Sequence, residues 1–88
     1  GLTEARRPAT WVCSTEDQNY EEKMKSGSRI WFSGVHSVEV RRYGAQSISL
    51  VPVVPGASSE LNLGLDDIPR AWRIKFISAG PIELCRPR

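Results

Sequence analysis

The amino-acid sequence predicts an all-β protein, a small six-stranded antiparallel β-sandwich or barrel with one disulfide. Short runs of alternating apolar and polar residues recur along the chain, as in half-buried strands. Seven glycines and six prolines separate these runs, and both residues favour turns. No stretch shows the apolar spacing of a substantial helix. At 88 residues the chain has the size of one domain, which we place at residues 9–88.

Four strands are predicted before residue 54. Residues 9–14 (ATWVCS) and 29–32 (RIWF) are rich in aromatic and β-branched residues, which favour strands. Residues 36–42 and 46–53 alternate cleanly, and we expect them to form a hairpin around a Tyr-Gly turn. Pro52 has no amide hydrogen, so its strand is expected to end there or to lie at a sheet edge.

Two further strands are predicted near the C-terminus, at residues 71–77 (AWRIKFI) and 82–85 (IELC). The alternation of the first places Arg73 and Lys75 on its solvent side. Large aromatic residues are expected to supply most of the core area. They are Trp11, Trp31, Phe32, Trp72 and Phe76.

Three segments are expected to be irregular. Residues 1–8 are polar and end at a proline, so they are predicted to be a flexible N-terminal arm. Residues 14–28 are the most polar stretch and fit either a short surface helix or a long ordered loop. Residues 54–70 are rich in turn residues, with one brief extended piece at LNLGL.

Two cysteines, Cys13 and Cys85, lie near opposite ends of the chain in strand-like segments. An even count in so small a domain favours a disulfide, because the thin core alone gives little stability. A bridge here would add about 4 kcal/mol to the free energy of unfolding, and it would indicate a secreted protein. The alternative is two unrelated buried thiols in a cytosolic protein. Two cysteines and one histidine lack the paired spacing of a zinc site, so no metal is expected.

The sequence offers few groups for catalysis. The single histidine, His36, lies on the polar side of an alternating strand, and nothing marks an activated nucleophile beside it. Asp66 and Asp67 are adjacent and precede a proline, as in a turn. No nucleotide-binding, zinc-protease or calcium-loop spacing occurs. We therefore expect no enzyme and no cofactor. No run of about 18 apolar residues is present, so no membrane span is expected, and no signal peptide is visible.

The outward charges of two strands are the predicted partner-binding residues. They are Arg41, Arg42, Arg73 and Lys75, with Tyr43 beside them. If the two strands are neighbours, these cations form a basic stripe that could dock a protein or single-stranded nucleic acid. The alternative is an ordinary solvated sheet face. Because the net charge is only +2, nucleic acid is the less favoured partner.

A cysteine in the first strand (Trp11-Val12-Cys13) is followed by a long polar segment and then by a hairpin from Ser37 to Val53. A proline turn then leads into a strand that begins with a tryptophan (IPRAWRIKFI, 68–77), and the chain ends in a basic tail. In outline, residues 9–88 resemble the MAX effectors of plant-pathogenic fungi. In that family the disulfide usually joins the first strand to the penultimate one, whereas Cys85 lies in the last predicted strand.

The resemblance implies a small secreted protein, monomeric and without catalysis, that binds host plant proteins outside or inside the host cell. A second hypothesis is a secreted inhibitor of a lysozyme or protease, whose Pro52–Gly64 connection would enter the enzyme's cleft. The C-type lysozyme inhibitors resemble this chain in having one cysteine in an early strand and one near the C-terminus. The βγ-crystallins resemble it in length and in the segments EDQNYEEK and VHSVEV. A nucleic-acid-binding small barrel is the third hypothesis.

Overall fold

The computed structural model describes residues 1–42, 46, 48–64 and 71–88. It confirms the all-β class, and these ranges contain no helix. They hold nine strands rather than the predicted six, because each of the three segments expected to be irregular contains one. The strands are β1 (Leu2–Glu4), β2 (Val12–Glu16), β3 (Glu21–Lys25), β4 (Arg29–Ser33), β5 (Ser37–Arg42), β6 (Ser49–Pro52), β7 (Ser59–Asn62), β8 (Ala71–Ile77) and β9 (Ile82–Arg86).

The strands form two antiparallel sheets, in the orders β1-β7-β4-β9-β2 and β3-β8-β5-β6. In chain order, β2 to β9 make one long two-stranded ribbon, in which β2 pairs with β9, β3 with β8, β4 with β7 and β5 with β6. The ribbon is wound so that β4 also pairs with β9 and β5 with β8. This arrangement is the double-sheet jelly roll.

The predicted hairpin is confirmed as β5 and β6, with Val38 opposite Val51 and both on the inner face. Pro52 is the last residue of β6, which lies at the edge of the four-stranded sheet. The missing amide hydrogen therefore costs no ladder hydrogen bond. The predicted turn between the strands, at Tyr43 and Gly44, lies outside the described residues.

The polar stretch at residues 14–28 forms neither the helix nor the simple loop that we expected. Its second half is strand β3, which pairs along its length with β8. Glu22 and Met24 point toward the opposite sheet, and Met24 is buried. A strand with three exposed charged residues is tolerated here because β3 is an edge strand, where charge discourages pairing with other chains.

The expectation of a loose N-terminal arm is also corrected. Leu2–Glu4 is a strand that pairs with β7 at the sheet edge, and the chain then crosses the outer face of the five-stranded sheet. There the indole Nε1 of Trp31 donates a hydrogen bond to the carbonyl oxygen of Ala5 at 2.9 Å. Trp31 is only 3% exposed, so this segment covers an aromatic side chain that the core does not contain.

The core lies between the two sheets and centres on Phe32 and Phe76, whose ring centroids are 5.2 Å apart. Of the five aromatic residues predicted to fill it, these two are buried there and Trp72 packs against it. Trp31 and the half-buried Trp11 lie elsewhere. The rest of the core is mainly aliphatic: Met24, Ile30, Val35, Val38, Val53, Leu61, Leu63, Ile74, Ile82 and Leu84.

The disulfide between Cys13 and Cys85 is confirmed, and it joins residues 72 apart in sequence. The two cysteines lie directly opposite each other in β2 and β9. They therefore tie together the first and last strands of the ribbon, at the end that no turn closes.

Replacing both cysteines by serine is expected to lower the free energy of unfolding by about 4 kcal/mol, since a long loop is released in the unfolded chain. Urea unfolding of the oxidised protein, with and without reductant, measures this. The double-serine variant is the control and should not respond to reductant. A loss below about 1 kcal/mol would contradict the role given to the bridge.

Candidate binding face

The outer face of the four-stranded sheet has a row of three cations that runs across three adjacent strands. Lys23 of β3 lies opposite Arg73 of β8, which in turn lies opposite Arg41 of β5. Like charges directly opposite each other in a sheet are destabilising. One carboxylate partly neutralises the positive charge of this row, because Glu21 forms an ion pair with Arg73 at 3.2 Å. No described carboxylate pairs with Lys23 or Arg41.

The next row along the same face alternates in sign. Glu21, Lys75 and Glu39 lie opposite one another across β3, β8 and β5, so the ammonium group lies between two carboxylates. Between the two rows is a shallow depression of about 290 Å³. Its lining residues are Glu21, Glu39, Arg41, Ile48, Arg73 and Lys75.

Apolar side chains border this charged face at the free edge of β6. Leu50 lies opposite Glu39 and is 63% exposed. Ile48, which lines the depression, is 45% exposed. The face therefore combines Lys23 and Arg41, with which no described carboxylate pairs, with an apolar margin of two exposed aliphatic side chains.

Three of the five predicted partner-binding residues lie together on this face: Arg41, Arg73 and Lys75. Arg42 belongs to the opposite face of the sheet, and its guanidinium lies over the ring of Trp72 at 5.1 Å from the centroid. Tyr43 lies outside the described residues.

Sequence reasoning did not identify Lys23 and the apolar margin as parts of the face. The alternation of EEKMK would have placed Lys23 on an outer face, had the segment been interpreted as a strand. The exposure of Ile48 and Leu50 has no local signal, because alternating strands normally bury such residues.

The outer face of the other sheet is covered by the chain's own residues. Besides Trp31, it has the half-buried Trp11, over which the guanidinium of Arg29 lies at 5.0 Å from the ring centroid. Arg29 also pairs with Glu60 at 2.6 Å. The two outer faces therefore differ: residues 5–11 lie against one, whereas Lys23, Arg41 and Arg73 on the other are exposed.

A polar cluster closes the seam between the sheets near β3. Arg86 of β9 pairs with Glu22 of β3 across the sandwich, and the ring of Tyr20 stacks on Phe76 at 6.5 Å. Burial raises the pKa of Tyr20, as do the charge and the hydrogen bond of Glu22. For Arg86, burial favours the neutral form, but the hydrogen bond and charge of Glu22 outweigh it and raise the pKa.

The described residues form no cluster of three or more metal-ligating side chains. His36 is exposed, and its backbone N–H donates to the carbonyl oxygen of Ile77 at 2.7 Å. Asp66 and Asp67 lie outside the described residues. Within those residues, no helix is long and apolar enough to cross a membrane.

The inhibitor hypothesis predicts that the connection from Pro52 to Gly64 enters an enzyme cleft. Part of this connection belongs to the five-stranded sheet. Ser59–Asn62 is strand β7, which pairs with β1 and β4 inside the five-stranded sheet. What remains outside strands is the turn at residues 53–58, where Val54 is 64% exposed, and the residues after β7.

No family model matches this sequence, and no curated protein is significantly similar to it. Among solved structures, the chain is similar to the solution NMR structure of a de novo designed double-stranded β-helix. The TM-score is 0.45 and the identity 23%, over 86% of this chain and 95% of that chain.

The raised pKa of Tyr20 predicts a pH-dependent loss of stability. The unfolded chain releases this proton near the ordinary value of 10.0, and the folded chain releases it only at higher pH. The contribution of the protonated phenol is therefore complete below pH 10 and is lost as the pH rises through the folded-state pKa.

The measurement is urea unfolding of the wild type and of Tyr20→Phe between pH 8 and pH 12. We expect the stability of the wild type relative to Tyr20→Phe to be constant below pH 10 and to fall above it. A rise with pH in the stability of the wild type relative to Tyr20→Phe would contradict the raised pKa of Tyr20.

Proposed function

We propose that this chain is a secreted, disulfide-stabilised module without catalytic activity that binds another protein through the outer face of its four-stranded sheet. The observation that supports this most directly is the row of Lys23, Arg73 and Arg41 beside the exposed Ile48 and Leu50. A partner that supplies an acidic side chain and an apolar one would remove both the like-charge repulsion and the exposed apolar surface.

The chemistry of the face favours a protein over a nucleic acid. The cation row crosses three strands and is about 10 Å long, since adjacent strands lie about 4.8 Å apart. A row of this length can contact only a few phosphates, and affinity for nucleic acid grows with the number of phosphates contacted. Glu21 and Glu39 lie in the adjacent row, so a phosphate backbone placed along the cations would also face two carboxylates. A protein surface of mixed sign suits such a pattern.

The resemblance to secreted fungal effectors supports the finer form of the proposal, in which the partner is a host plant protein. An inhibitor of a secreted hydrolase would use the same binding physics, with the turn at residues 53–58 as the inserted segment. The two hypotheses differ in whether the partner is an enzyme and loses activity on binding.

The experiment begins with capture by the oxidised protein from plant tissue fluid, followed by affinity measurement with the purified partner. Arg41→Glu is expected to weaken binding by about tenfold to a hundredfold, because it reverses a charge in the interface. Leu50→Ser is expected to weaken it by removing apolar contact.

The matched control is Arg6→Glu, which makes the same change of charge in the N-terminal segment and should leave the affinity within about twofold. Equal losses for Arg41→Glu and Arg6→Glu would contradict the proposed face, since they would indicate attraction by overall charge alone. Tight salt-dependent binding to single-stranded DNA, with no protein captured, would replace the proposal by the nucleic-acid one.

A further inference from the structure

A cleft of about 410 Å³ opens between the two sheets, on the side where the edge strands β1 and β6 meet. Its walls are apolar side chains from the inner faces of both sheets. They are Leu2, Val40, Val51, Leu61, Leu63 and Trp72. Among the described lining residues, the polar groups are the side chains of Ser49 and Asn62 and the terminal ammonium of Gly1, which donates to the carbonyl oxygen of Asn62. Concave, mainly apolar sites of this size are where small ligands bind in β-barrels and sandwiches.

The opposite side of the sandwich also has an opening, of about 400 Å³, but charged side chains such as Glu22, Lys25 and Arg86 line it. On the opposite side, the ion pair between Arg86 and Glu22 crosses from one sheet to the other, and Tyr20 packs against the core. On the cleft side, the half-buried Val40 and Val51 face the buried Leu61 and Leu63 across the opening.

A cation stands beside the apolar wall. Arg42 is opposite Trp72 in the β5–β8 ladder, and its guanidinium lies over the indole ring at 5.1 Å from the centroid. The same indole is held from another side, because its Nε1 donates to the hydroxyl of Ser26 at 3.4 Å. Arg42 is exposed, and no described carboxylate pairs with it. The guanidinium is therefore placed to receive an anion while its ring partner lines the cleft.

We propose that the cleft binds a single-chain amphiphile, an aliphatic tail with a carboxylate head. The tail lies between the sheets, where each buried methylene is favourable, and the head pairs with Arg42, whose planar guanidinium suits a carboxylate. A cavity of about 150 Å³ holds a benzene ring, so the cleft has room for a tail of roughly ten carbons. This site is distinct from the proposed docking face, because adjacent residues of β5 place Arg41 outside the sandwich and Arg42 on the inner side.

The test is isothermal titration calorimetry of the oxidised, full chain with decanoate below its micelle concentration. We expect saturable binding of one decanoate per chain. Octanoate should bind about fifteenfold more weakly, because two methylenes fewer are buried. Arg42→Gln should weaken decanoate about tenfold and leave 1-decanol unchanged, since only the carboxylate uses the cation. Arg41→Gln is the matched control, with the same change of charge one residue away, and should leave both affinities unchanged.

Absence of saturable decanoate binding at millimolar concentration would overturn the proposal. Equal affinities for octanoate and decanoate would also overturn it, because the tail would then lie outside an apolar cleft. Equal losses of decanoate affinity for Arg41→Gln and Arg42→Gln would show attraction by overall charge. They would contradict the pairing of the carboxylate head with Arg42. As a second measurement, Val51→Phe fills the cleft, and a folded variant by near-UV circular dichroism that keeps full affinity would contradict the site.

Discussion

The structure depends on closing a long antiparallel ribbon at both ends. The β5–β6 hairpin closes one end through local chain connectivity, whereas β2 and β9 form the other end and are separated by most of the sequence. Bringing them together costs loop-closure entropy before any contact repays it. The bridge between Cys13 and Cys85 lowers that entropy cost in the oxidised protein, because the two residues stay linked in the unfolded chain. Winding the ribbon then brings β4 beside β9 and β5 beside β8, which completes the two sheets and the core between them.

The same topology explains which parts of the fold the sequence could predict. The β5–β6 hairpin needs only alternation and a short turn. Strand β8 is rich in aromatic and β-branched residues, and β9 begins with the alternating Ile82, Glu83 and Leu84. Strand β3 has neither feature, because EEKMK becomes a strand only through its ladder with β8 some fifty residues later. Strand β1 likewise exists through its ladder with β7, which lies more than fifty residues later in the chain. Non-local pairing decides both elements, and no local pattern encodes it.

The candidate site was predicted in part for the same reason. Arg41, Arg73 and Lys75 alternate along strands that were recognised, so their common face followed once β5 and β8 proved to be neighbours. Arg42 was included in the stripe although adjacent residues of a strand point to opposite faces. Lys23 was missed with the strand that holds it. Alternation gives the face on which a side chain lies, but only the strand register gives its neighbours. The register places Lys75 between two carboxylates and Arg41 beside another cation.

The two adjacent arginines of β5 lie in different environments. Arg41 is exposed on the outer face, where water solvates a single cation but a row of cations destabilises the sheet. Arg42 lies over an indole at the seam, where the ring's face stabilises a cation without neutralising it. The five-stranded sheet has no comparable surface, because residues 5–11 cover it and its charged side chains Arg29, Glu60 and Glu83 are paired. Residues 5–11 therefore lie against one sheet, whereas Lys23, Arg41 and Arg42, with which no described carboxylate pairs, belong to the other. This is the distribution expected if the second sheet and its seam are where ligands bind.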